Sequence, residues 1–334
     1  MPVDIYPAQF NRNMHAIDPS ADNLSSSPEV TRVLKALSLQ RDAPWHLPGY
    51  YLGITYDSVD HHRAMLSMDL ESNLNVHGQP LPVALCILAD VALAASIRGE
   101  VGFETRLATI SAKLTFTGQH ATQRLVANSR GRFQSDDNAI AIRNSGVTIL
   151  SGETEICFAE GSFAVLERPA DRPVQSQPDH HSWEQIDLLA VNDLSVQEND
   201  TYQRALQALA DRANDKTQPD KTTFTETFWG LTPTSEGHVA TCEIQCGLHI
   251  GNRVGHVQGG VLLGLAINTS LATVRDGWRM LEINALFIRP GTEGVLTATS
   301  QIVNAGRNLA HVLCEIRTAT GRLVLQAQST MIRE

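Results

Sequence analysis

A chain of 334 residues is long enough for two domains with cores of their own, or for one large one. With 42% hydrophobic and 19% charged residues, its make-up is that of an ordinary globular protein. A formal net charge of −10 argues against a nucleic-acid or anionic-membrane surface, since both want a basic field; an anionic small ligand needs only a local basic rim.

Residues 1–26 read as a loosely ordered lead-in without the basic-then-apolar order of a signal peptide. "SPEVTRVLKAL", 27–37, has the spacing of a short helix. Gly53 follows "YYL" and opens a segment of strand-like alternation. Then comes "NVHGQPLPVALCILADVALAASI", 75–97, a loop running into a helix that is apolar on every face and so belongs in a core. One charge interrupts it, Asp90. A buried carboxylate is costly unless paired or hydrogen-bonded, so Asp90 asks for a chemical reason. The runs "RLVANSRGRF", "NAIAIRNSGVTIL" and "TEICFAEGSFAVL" read as antiparallel strands.

The Pro-rich polar stretch 167–182 reads as a linker. Beyond it "TYQRALQALADRA" is a second short helix, and Gly230 follows "TFW" as Gly53 follows "YYL". "NRVGHVQGGVLLGLAINTSLATV", 252–274, is again a loop entering an apolar helix, and "GVLTATSQIVNAG", "NLAHVLCEIRTATG" and "LVLQAQSTMI" are again strands. The apolar runs 83–97 and 261–274 fall short of the roughly 20 residues of a membrane span, so an intracellular, cytoplasmic protein is expected. Five cysteines without metal-site spacing read as small buried hydrophobes. The pairs His61-His62 and His180-His181 read as exposed loop residues.

The two stretches are copies. Gly53 and Gly230, Asn75 and Asn252, Pro82 and Gly259 all stand 177 residues apart, and the helices run on to Arg98 and Arg275 at the same offset. After the helix the second copy is about six residues shorter. Each half is then a long buried helix with several antiparallel strands, an α+β unit. The copies are unequal. Asp90 corresponds to Ile267, and the Gly259-Gly260 pair to Pro82-Val83. A helix N-terminus offers unpaired N–H groups to an oxyanion, glycine lets a ligand approach them, and proline has no N–H to give. One half kept the acid, the other the donor, which makes sense if they pack together and share one site.

"NRVGHVQGGVLLGLA" resembles the Asn-x-x-Gly-x-x-His-Gly-Gly signature of hotdog-fold acyl-CoA thioesterases of the PaaI-like and 4-hydroxybenzoyl-CoA type. "LADVALAASI" is similar to the helix of the same superfamily, and "LFIRPGTEGVLTATSQIVNAGR" to the strands that follow it. The resemblance covers most of 50–166 and 225–332. It implies two tandem hotdog domains, 27–166 and 183–334, each a long central helix wrapped by an antiparallel sheet. It also implies hydrolysis of an acyl-CoA or related thioester at one composite site. There Asn252 and Gly259 would hold the thioester carbonyl, and Asp90, assisted by Thr109, would supply the attack as general base or as nucleophile. Thr109 has about Met280 as its counterpart. Gln258 stands where the family has His, with His256 close by and Gly260 following. Arg289, Arg307 and Arg132 are the candidates for a basic rim around coenzyme A. No metal or redox cofactor is implied, nor a nucleic-acid or membrane partner. Double hotdogs associate further by their outer faces, so a homo-oligomer is implied as well. The second potential site, with Asn75, Pro82, Ile267 and Met280, is expected to be dead. Two alternatives stay open: a hydroxyacyl-thioester dehydratase or hydratase, which would need His256 opposite Asp90, and a non-catalytic acyl-CoA-binding protein.

Overall fold

The computed structural model describes residues 26–42, 45–133, 141–166, 186–214, 222–274, 276–292 and 294–334. The linker 167–182, His180-His181, Arg275 and all of the lead-in but Ser26 lie outside the described residues. In the first half a helix α1 (Pro28–Asp42) and a short helix α2 (Leu47–Leu52) precede β1 (Thr55–Asp60) and β2 (Arg63–Met68). The long helix α3 (Pro82–Val101) follows, then β3 (Arg106–Phe116), β4 (Leu125–Phe133), β5 (Ala141–Ser151) and β6 (Thr154–Leu166). The second half repeats the order with α4 (Val196–Asn214), α5 (Phe224–Trp229), β7 (Thr234–Glu236), β8 (Val239–Gln245), α6 (Gly259–Thr273), β9 (Trp278–Phe287), β10 (Val295–Ala305), β11 (Leu309–Thr318) and β12 (Leu323–Arg333).

The strands expected after Gly53 and Gly230 begin at Thr55 and Thr234, while "YYL" and "TFW" end helices. Gly53 (φ 69°) and Gly230 (φ 75°) are their left-handed C-caps, the conformation that stops a helix and that glycine adopts at least cost. The two leading helices touch across the halves. Arg41 of α1 grips Glu198 of α4, and Tyr51 bonds Thr225 through their hydroxyls at 2.8 Å.

All strands lie in one antiparallel sheet, ordered β1-β2-β4-β5-β6-β3-β9-β12-β11-β10-β8-β7, so the order on one side of the β3–β9 seam mirrors that on the other. The seam pairs Ser111 with Leu286, Lys113 with Asn284 and Thr115 with Glu282. Once the six-residue deletion is allowed for, Asn284 is the counterpart of Lys113, so the pseudo-dyad passes between these two paired residues. A bulge skips Ile110 in β3 against β6, and its counterpart skips Leu281 in β9 against β12. An extra residue in one strand re-aims its neighbours. Here it turns Thr109, like Ala112, toward the helix layer.

The sheet wraps α3 and α6, which pack side by side as the core. Their crossing is built from unequal parts. A Cβ at Gly260 would lie 2.5 Å from Ile87 Cα, and one at Gly264 would run into Val83. Since Val83 and Ile87 are the counterparts of Gly260 and Gly264, each glycine faces the β-branched residue that replaced the other's equivalent. Close approach of the two backbones needs the missing side chains on α6. With its 20 residues α3 is longer than its apolar run and meets the length and composition of a membrane span, yet 72% of that window is buried inside the fold and it carries Asp90. It is a core helix. All five cysteines are free and buried.

Candidate functional site

The site forms where α3 passes the N-terminus of α6. The loop before α6 is a compact turn: Asn252 N donates to the His256 carbonyl at 2.6 Å and Gly255 N to the Asn252 carbonyl at 3.0 Å. The Asn252 Oδ1 accepts from the backbone N–H of Val254 and His256, each at 3.0 Å. In the first half Asn75 Oδ1 accepts from His77 and Gln79 N–H at 2.9 Å in the same pattern. A carboxamide that does the same work in both loops is, first of all, what folds them.

Gln258 is the N-cap of α6. Its Oε1 accepts from Val261 N at 3.0 Å, satisfying one orphan donor of the helix. That bond fixes the amide so that Nε2 donates to Asp90 Oδ2 at 2.7 Å. Thr109 Oγ1 donates to Asp90 Oδ1 at 3.2 Å, and Gly260 N–H donates to the same carboxylate. A Cβ on Gly259 would stand 3.0 Å from Asp90 Oδ1, so any larger residue there crowds the carboxylate. As the first residue of α6, Gly259 has an N–H with no partner inside the helix. Asp90, Thr109, Gln258, Gly259 and Gly260 are thus brought together from both halves.

Burial raises the Asp90 carboxyl to about 6, against the pull of the Thr109 hydroxyl, the Arg98 charge, the Gly260 N–H and the Gln258 amide. Desolvation wins because these groups are three neutral donors and one guanidinium that is itself desolvated. Asp90 is half-buried, the one residue between Val83 and Leu93 on α3 that is not fully enclosed.

Two arginines unremarked as site candidates in the sequence lie beside this centre. Arg98, about two turns beyond Asp90 on α3, donates through one nitrogen to the carbonyls of Phe103 (3.3 Å) and Thr105 (2.8 Å). Arg253, next to Asn252, donates to the same two carbonyls at 3.0 and 2.8 Å. Behind them stand Tyr56, its phenol pushed up to about 12 by burial, and His46, pushed down to about 3 for the same reason. His46 Nδ1 accepts from Gly49 N–H at 2.9 Å as the cap of α2. The signal for Arg253 was its place inside the glycine-loop signature, at a position the motif leaves free.

The arginines expected on a rim are dispersed. Arg289 lies two residues before Gly291, whose carbonyl accepts from Val257 N at 2.8 Å, so it sits beside the glycine loop. Arg132 points from β4 to the outer face of the sheet, in a groove of about 680 Å³ lined also by Arg130 and Glu160, on the side away from α3. The turn carrying Arg307 neighbours the start of β9, where Glu334 N bonds the Gly277 carbonyl. That is the Met280 end of the seam, whereas Thr109 precedes the end where Ser111 pairs with Leu286. Arg132 and Arg307 are therefore not brought to Asp90.

The counterpart end of the helix pair has Leu81 for Gln258, Pro82 for Gly259, Ile267 for Asp90 and Met280 for Thr109. Leu81 and Ile267 are fully buried, and Leu81 offers α3 no side-chain cap.

Residues 250–332 match the family model described as the acyl-CoA thioesterase N-terminal domain. The fold is similar to that of a Thermobifida fusca YX protein with a provisional thioesterase II name, 12% identical over 87% of this chain and 99% of that one, TM-score 0.50. It is similar also to a Lactobacillus plantarum protein with a provisional oleoyl thioesterase name, 9% identical over 88% and 98%, TM-score 0.50. A Bacillus halodurans protein solved with CoA aligns at 16% identity over 43% of this chain and 98% of that one, TM-score 0.38. No curated protein matches the chain in sequence. The family match lies within the second half, and the fold, with one long helix wrapped by an antiparallel sheet in each of two mirrored halves, is that of two hotdog units in tandem.

Proposed function

We propose that the chain hydrolyses acyl-CoA thioesters at a single composite site between its halves. The observation that carries this reading is the Asp90 carboxylate of the first half lying against the N-terminus of α6 in the second, beside Gln258, Gly259 and Gly260. The thioester carbonyl takes the Gly259 N–H, where the helix end favours a developing oxyanion. Asp90 removes a proton from a water held with Thr109, and the hydroxide adds to the carbonyl carbon. The tetrahedral intermediate collapses, the C–S bond breaks, and the proton on Asp90 passes to the leaving thiolate. A carboxyl raised to about 6 suits this work, being ionised at neutral pH yet more basic than an ordinary aspartate. Gln258 and Asn252 act as positioning residues, Gln258 by orienting the acid and Asn252 by folding the loop. The CoA portion of the substrate rests on the family match to the second half, with Arg289 nearest the loop among the expected rim residues. The end formed by Leu81, Pro82, Ile267 and Met280 is inert.

Dehydration would require an imidazole facing the acid, and the donors on Asp90 are a threonine, a glutamine and a backbone amide. A thiol-release assay over a panel of acyl-CoAs tests the reading. Wild type is expected to turn over and Asp90→Asn to lose on the order of 10²–10⁴-fold in kcat. An Asp90→Asn enzyme as active as wild type would remove Asp90 from the mechanism.

A further inference from the structure

Arg98 belongs to the helix that carries the acid, and Arg253 to the loop that leads into Gly259. They come from different halves, and both guanidiniums converge on the same two backbone carbonyls, Phe103 and Thr105. Those carbonyls belong to the link between the end of α3 and the start of β3, the strand that presents Thr109. One knot therefore ties together the three elements that supply the acid, the hydroxyl and the oxyanion donor.

By sequence the pair is not repeated at the other end: Arg98 has Arg275 as its counterpart, but Arg253 corresponds to Val76, which is exposed. The Asn-based turn is common to both loops, so it does not account for the difference. Two like charges side by side cost energy, and a desolvated guanidinium costs more. A single leucine or methionine would join the elements more cheaply. What two guanidiniums give in return is directionality: Arg253 forks across the two acceptors and Arg98 reaches both through one nitrogen, a fixed geometry that an apolar contact would not impose.

We propose that Arg98 and Arg253 are a pair of positioning residues that lock the glycine loop of the second half onto the acid's helix and the Thr109 strand of the first, holding the Gly259 N–H in register with Asp90. The inference rests on the hydrolytic reading of the site. Displacement of reacting groups by about 1 Å is enough to cost on the order of 10²-fold in rate, so the lock acts on kcat rather than on substrate affinity.

The test compares Arg253→Gln and Arg253→Lys with Arg41→Gln, which breaks a different cross-half contact, between α1 and α4. Arg253→Gln is expected to lose on the order of 10²-fold in kcat with KM little changed. Arg253→Lys should not recover it, since the shorter side chain with its single nitrogen loses the two-pronged grip of Arg253, and Arg41→Gln should keep wild-type kcat. Amide exchange at Gly259 and Gly260 should quicken in both Arg253 variants and not in Arg41→Gln. Wild-type kcat and unchanged exchange in Arg253→Gln would overturn the lock, as would an equal kcat loss in Arg41→Gln. Were the wild type to release no thiol, the hydrolytic reading would fall, and the exchange rates alone would decide whether the pair holds the loop.

Discussion

The two N-termini of the paired core helices are the most instructive comparison within the molecule. Both loops fold alike: Asn75 and Asn252 make the same backbone bonds, and the bridge between Leu74 and Pro80 recurs between Gly251 and Val257. Four of the differing positions decide the chemistry. At one end stand Gln258, Gly259, Asp90 and Thr109; at the other, Leu81, Pro82, Ile267 and Met280. The scaffold is symmetric and the chemistry is not. Duplication allowed one end to become core, and the same asymmetry runs into the helix crossing, where Gly260 and Gly264 receive Ile87 and Val83.

The largest effect comes from giving the apolar end an acid. Ile267 has no exposed surface, so Ile267→Asp buries a carboxylate without the donors that surround Asp90. It should cost about 3–5 kcal/mol of stability, read as a fall in the chemical-denaturation midpoint. Combined with Asp90→Asn it should restore no thioester hydrolysis, because Pro82 has no N–H to offer. Recovered activity in the double variant would break the comparison, by showing that the acid alone separates the two ends.

Next in size is the reverse transplant. Proline suits the first turn of a helix, as Pro82 does on α3, so Gly259→Pro should fold while removing the single N–H assigned to the oxyanion. Loss of one such donor is worth about 2.7–4 kcal/mol, or 10²–10³-fold in kcat. Circular dichroism and melting close to wild type, with kcat down by that factor, is the expected result. Since a Cβ here nears Asp90, Gly259→Ala serves as the control that crowds the acid yet keeps the N–H. Equal losses in both variants would assign the effect to crowding.

Much of this is legible in the sequence. The offset between copies survives because helix and loop lengths are rigid: inserting one residue in α6 would rotate every later side chain by about 100°. That is why Asp90 and Gly259 could be matched as complementary losses, and why Met280 could be matched to Thr109 across a deletion. The bulges at Ile110 and Leu281 now account for the match. The helices α2 and α5 were not legible, because "LPGYYL" and "FTETFW" are too short for a periodic pattern and rest on caps at His46 and Thr223. The choice among arginines was not legible either. Whether a strand or turn arginine faces the site depends on sheet face and strand end, and Arg132 and Arg307 fall on the wrong ones. Arg253 stands inside the glycine-loop signature, but its partners are the backbone carbonyls of Phe103 and Thr105, which side-chain patterns do not show.

The smallest expected effect concerns Asp90 itself, the one charge of its helix segment that the apolar end lacks. Its carboxyl is raised from 3.8 to about 6, chiefly by desolvation, with Arg98 the principal opposing charge and the Tyr56 phenol and Cys86 thiol the neighbouring titratable groups. A raised pKa means the folded state holds the proton more tightly than the unfolded one. The group therefore costs nothing below pH 3.8, and its penalty grows as pH rises through about 6. Asp90→Asn removes that dependence. Relative to wild type, the variant should gain about 1–3 kcal/mol between pH 4 and pH 8, seen as a few degrees in melting temperature. Wild-type kcat/KM should rise tenfold per pH unit on the acid side and level off above about pH 6. A stability difference flat across that range, or an activity limb near pH 4, would mean that Asp90 is as well solvated as any surface aspartate. The two ends of the helix pair would then differ in residue names more than in environment.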